Sequence, residues 1–166
     1  MFDNLDEVPE LELTDEQRLD KASSGVETDL LVALMRRGIG VPPEIDLLKE
    51  SDFSDKMKGV VFGVLRSIWN SGNVPEASLV LDKLRRLGHT SLDYFVNEME
   101  VLSAGLKDYG NTTSYISIIK DVSQRRRTNT IAKELAECAS KTEGNIVHII
   151  ESSVASLLRV TTDVLA

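Results

Sequence analysis

The chain has 166 residues, 42% of them apolar, and a formal net charge of -8. That length and apolar content suit one ordinary domain with a sizeable core, and aromatics at 5% with few β-branched runs favour helices. The acidity is concentrated at the start: residues 1–22 hold eight acids against Arg18 and Lys21, so the remainder is near neutral and has no continuous basic stripe for tracking phosphates.

Residues 1 to about 13 lack a helical apolar period and are expected to form a mobile acidic tail. Thr14 with Gln17 spells a capping box opening a short helix to about Ala22. Ser24 with Glu27 spells a second, opening a helix to Arg37 that Gly38 and Pro42-Pro43 stop. Pro43 to Lys49 suits a short helix with proline in its first turn. Asp55 to Asn70 is apolar and helical, and Ser71-Gly72-Asn73 breaks it. Pro75 starts the next helix, which runs to Leu87 before Gly88. Ser91 to Ala104 is helical with Leu92, Phe95, Val96, Met99 and Leu102 inward, closed by Gly105. The expected core runs through Leu31, Phe62, Leu65, Trp69, Leu84 and Phe95.

Asn111 to Ala139 reads as one uninterrupted helix whose apolar stripe changes face. At ~100° per residue, Tyr115, Ile118, Ile119 and Val122 share one side, and Ile131, Leu135 and Cys138 fall about 180° away. The first half is therefore anchored in a globular body and the second buries its stripe elsewhere. After a turn at Ser140 to Gly144, Asn145 to Val160 is helical again, with Ile146, Val147, Ile150, Val154 and Leu157 on one side and Ile149 and Leu158 widening the stripe. The expected architecture is all-α: an acidic tail with a short helix (1–23), a compact helical bundle (24–110), a long helix and projecting two-helix hairpin (111–160), and the start of a linker (161–166). The return helix carries a broader apolar arc than one partner helix covers, which predicts self-association or docking of another protein.

No constellation supports catalysis or a metal. His89 and His148 have no Cys or carboxylate set at ligand spacing, and no G-x-S-x-G elbow occurs. Paired acids such as Asp52 and Asp55, or Glu98 and Glu100, are expected to be solvated helix residues. The run Arg125-Arg126-Arg127 could meet phosphate or an acidic partner, but consecutive helix residues fan around the axis and Arg125 follows Asp121 by four, a good intrahelical pair. A single Cys138 fits a reducing compartment, the acidic start is no secretory signal, and the longest apolar run, Val60 to Leu65, is far short of the ~20 residues a membrane span requires. A cytoplasmic protein without a membrane partner is expected.

Several blocks carry a family resemblance. Asn111, Tyr115, Ile118-Ile119 and Arg126-Arg127 resemble the long helix of the N-terminal domain of DnaB-type replicative DNA helicases. Ser51-Asp52-Phe53, Val60-Val61-Phe62, Gly72-Asn73-Val74-Pro75-Glu76 and Leu81 to Leu84 are similar to that family's middle block, and Val26 to Met35 to its opening helix. Departures at Val26, Val32, Ser54, Lys58 and Thr128 mark a divergent member, with phage and plasmid forms included. The family continues into a RecA-like ATPase domain, whereas G-x-x-x-x-G-K-[ST] occurs nowhere here, so the chain is expected to be a piece of a longer helicase or a stand-alone relative.

The resemblance implies a non-catalytic assembly domain with no catalytic, cofactor or metal residues, ATP and magnesium belonging to the parent's motor domain. It implies pairing of hairpins into a homodimer, a trimer-of-dimers collar in the hexameric parent, DNA threaded through that ring, and contacts to primase and helicase loader. The interface expected on the hairpin comprises Ile131, Leu135, Ile146, Ile150, Val154 and Leu157, with Arg125, Arg126 and Arg127 as nucleic-acid or partner contacts. The alternative is a stand-alone phage-type helical adaptor that recruits, loads or inhibits a helicase.

Overall fold

The computed structural model describes residues 12–35, 43–106 and 111–165. The expected acidic tail, apart from its last residues, and the Gly38 and Pro42 stop signals lie outside them. Among the described residues every regular element is helical: α1 Asp15–Leu34, 3₁₀ turns at Pro43–Leu47 and Glu50–Asp52, α2 Lys56–Asn70, α3 Ala77–Arg86, α4 Asp93–Ala104, α5 Thr112–Ser140 and α6 Ile146–Leu165.

Thr14 caps α1 as expected, its hydroxyl accepting from Gln17 N while the Gln17 side chain accepts from Thr14 N. The second capping box does not form. Instead of starting a helix, Ser24 lies inside α1, and Glu27 turns inward to 0% exposure. Its carboxylate accepts from Ser23 Oγ at 3.2 Å, Ser54 N at 2.5 Å and Ser54 Oγ at 2.8 Å. A buried carboxylate is tolerable only with such donors. They fix the turn that leads into α2. Lys58, the neighbouring cation, donates to Ser24 O and Ser24 Oγ.

The C-terminal half of α1 and the inner face of α2 form the centre of the body. Leu30 through Met35 are buried in succession, as are Val61, Phe62, Val64, Leu65 and Ile68. Leu30 to Met35 are buried all round, so neighbours cover every side of that segment, whereas α2 keeps Ser67 and Asn70 in solvent. Phe62 stacks at 4.9 Å on Phe53 with the Arg66 guanidinium over its ring at 5.7 Å, and Trp69 donates its indole N–H to Leu34 O. Asp55 caps α2 by accepting from Met57 N and Lys58 N. Pro75 precedes α3 by two residues, and Glu100 of α4 accepts from Ala77 N in the first turn. Two inward assignments fail. Leu102 is 51% exposed and Ile118 is 41% exposed, with Ile116 in the core in place of the latter. Pro43–Leu47 is a 3₁₀ turn that ends two residues before the expected Lys49.

The junction of α2 with the preceding turn is tight. A Cβ on Gly59 would strike the Glu50 carbonyl oxygen. α5 begins in the body through Thr112, Ile116, Ile119, Val122 and Ser123, then continues outward without interruption. Past the turn, Gly144 adopts φ 99°, which glycine tolerates best. Asn145 caps α6 by accepting from Val147 N and His148 N. α6 then runs to Leu165, through the stretch read as a linker.

Candidate assembly surface and the charge cluster beneath it

The line on α5 through Arg127, Ile131, Leu135 and Cys138 faces α6, as the Arg127 contact to Asp163 of α6 establishes. Ile131, Leu135 and Cys138 are half-buried there. The answering face of α6 is Ile149, Ser153, Ser156, Val160 and Asp163, all at least partly buried. Serines at its centre let the two helices come close. The broad apolar stripe lies on the adjacent arc, turned to solvent: Ile146 is 46% exposed, Val147 58%, Ile150 48%, Val154 49%, Leu157 37% and Leu158 59%. Of the six residues expected at an interface, Ile131 and Leu135 thus sit within the hairpin, and Ile146, Ile150, Val154 and Leu157 form one uncovered face. Six neighbouring large apolar side chains at these exposures form a patch, not scattered surface residues.

Beneath the hairpin, the chain buries charge. Asp52, read as a solvated acid, is 2% exposed. Its carboxylate accepts from Ser123 Oγ at 2.6 Å, Lys49 N at 2.8 Å and Lys120 Nζ at 3.3 Å. Arg126 donates to Asp52 O and lies 3.9 Å from Asp20 of α1. Arg127 NH1 meets Asp163 at 2.6 Å, and Lys49 Nζ reaches the same carboxylate at 3.5 Å. Only Arg125 of the arginine run points outward, paired to Asp121 at 2.8 Å, and that hydrogen-bonded carboxylate raises its guanidinium above the ordinary value. The other two tie elements together.

The Arg127 hydrogen bond holds Asp163 below the usual carboxylate value, against some desolvation, with Lys49, the Arg127 charge and Lys120 assisting. A depressed folded value means that the contribution is present above the unfolded value of about 3.9 and lost as pH falls through the folded one. The stability difference between wild type and Asp163→Asn should therefore be constant at pH 5 to 7 and shrink below about pH 4. Urea midpoints across that range check it, and parallel curves would remove the pairing as the cause.

A groove of about 760 Å³ between α2 and α3 has Ser67, Asp82 and His89 in its lining. Ser67 Oγ accepts from Lys83 and Asp82 pairs with Arg86, so no nucleophile-base relay is assembled. Among the described residues no cluster of His, Cys, Asp or Glu is arranged to hold a metal, and no helix is long and apolar enough to cross a membrane.

The crystal structure of the N-terminal domain of DnaB helicase from Mycobacterium tuberculosis superposes with a TM-score of 0.66 over 82% of this chain and 96% of that one, at 14% identity. The fold is that of a DnaB N-terminal domain. No protein-family model and no curated protein sequence matches the chain. The DnaB N-terminal-domain fold is the one the resemblance of the sequence blocks implied, and within it Asp52, Arg126 and Arg127 come together. Sequence reasoning missed that cluster because Asp52 and Ser123 are 71 positions apart.

Proposed function

We propose that this chain is a non-catalytic assembly and partner-binding domain of a replicative DNA helicase, acting in DNA replication in the cytoplasm. The observation that carries the reading is the uncovered apolar face of α6, on a fold shared with a DnaB helicase N-terminal domain. A helix of 20 residues is about 30 Å long, enough for two copies to pair along their stripes about a two-fold axis. In a hexameric parent three such pairs would form a collar through which DNA is threaded, with primase and helicase loader docking on it. ATP and magnesium would be used by the parent's motor domain. This chain supplies geometry.

Sedimentation of wild type, Ile150→Asp and Leu157→Asp at equal concentration tests the pairing. A charge placed in a contact that excludes water has no partner. The expected result is a concentration-dependent dimer for wild type and a monomer of unchanged helicity for both variants. A wild type that stays monomeric at high concentration, or variants that dimerise equally well, would overturn the pairing. Nucleotide turnover should stay at background, because no Gly-rich phosphate loop with Lys and Ser or Thr is present in the chain. Binding to nucleic acid should be weak and lost at moderate salt, since Arg126 and Arg127 are engaged internally. Tight, salt-resistant binding would contradict that assignment.

A further inference from the structure

Arg127 stands between two carboxylates of different character. On one side Asp52 is held rigidly, its side chain 3% exposed and fixed by Ser123 Oγ and Lys49 N. On the other, Asp163 is 29% exposed and lies in the last turn of α6. The Arg127 contact to Asp52 is 3.9 Å, a charge contact without a hydrogen bond, whereas that to Asp163 is 2.6 Å. Nearby donors outnumber acceptors. Arg127 Nε and NH2, Arg126 NH1 and Gln124 Nε2 are buried without a hydrogen-bond partner. Buried donors left without partners cost free energy, so this arrangement of the network is less stable than a saturated one would be.

α5 is tied to the body separately, through Arg126 to Asp52 O of the 3₁₀ turn and to Asp20 of α1, so the end of α6 can come away without undoing those contacts. We propose that the Arg127–Asp163 pair, with Lys49, is a releasable latch: closed, it docks the last two turns of α6 on the body; open, those turns leave while the body and α5 stay packed. The latch holds whether or not α6 pairs with a second copy, because Asp163 lies on the α5-facing side and the apolar stripe on the adjacent one.

Hydrogen exchange on the full chain, compared between wild type, Asp163→Asn and Arg127→Lys, reads the latch directly. Lysine keeps one charge but cannot span both carboxylates as the guanidinium fork does. In both variants amides of residues 158–165 should exchange at least tenfold faster, with α2 and α3 protected as in wild type. Asp163→Glu should restore much of the protection. Unchanged exchange at 158–165 would overturn the proposal. So would uniform acceleration across the chain, which would make the pair a global stabiliser and not a local latch. Should Asp163→Asn fail to fold, the Arg127→Lys pattern decides between these outcomes.

Discussion

Asp52→Ala is expected to lower unfolding stability by about 3–5 kcal/mol, the range for removing one partner of a buried ion pair. The loss is large because of what remains. Lys120, its side chain only 13% exposed, loses its carboxylate, and Ser123 Oγ loses its acceptor. Lys49 N, which the same carboxylate receives, is left without its cap at the turn. Asp52→Asn keeps the shape and one acceptor oxygen, and should cost less. Urea unfolding measures both, with the slope unchanged if the denatured state is unaffected. A loss under 1 kcal/mol for Asp52→Ala would mean that water replaces the carboxylate and that the cluster contributes little to the fold.

Gly59→Ala is the second large effect, at about 3 kcal/mol, the upper end of what overpacking typically costs. The obstacle is the Glu50 carbonyl, a backbone atom, so the 3₁₀ turn carrying Asp52 would have to move with it. Gly63 offers a control on the same helix face: a Cβ there meets the Glu50 carboxylate, the far end of a side chain that can swing aside. Gly25 offers the opposite sign. It lies mid-helix in α1 with open space around it, so alanine should stabilise by up to about 1 kcal/mol. Thermal unfolding of the three variants should order them Gly25, Gly63, Gly59 from most to least stable. A Gly59→Ala protein that melts with wild type would show that the turn yields at no cost.

What was legible in the sequence were features decided within a few residues. Thr14 and Gln17 form their cap because both partners sit in one turn, and the breaks after Asn70 and Arg86 come where Gly72 and Gly88 adopt positive φ. Ser24 and Glu27 carry the same local pattern as a cap, yet the choice is made by Ser54, 27 positions on, whose N–H and hydroxyl draw the Glu27 carboxylate inward. The apolar period of α6 was legible as an amphipathic helix, but not which arc meets α5. Two adjacent arcs compete, and the one centred on Ser153 and Ser156 wins contact because small side chains permit close approach. That the stripe through Ile146, Ile150, Val154 and Leu157 is wholly uncovered is therefore readable only once α5 is in place. Asp52 illustrates the other limit, an ordinary surface acid by composition that becomes a hub when Lys120 and Ser123 arrive from another helix.

α5 spans the body and the hairpin as one helix of 29 residues containing neither glycine nor proline. Sharp bends in helices almost always need such a residue or an inserted group, so this one is a stiff rod. α1 braces it beyond the body, Lys133 meeting Glu16 at 4.0 Å. A tilt of the rod set among the charged groups around Asp52 would therefore reach the turn near Gly144 undiminished, and α1 would have to follow it.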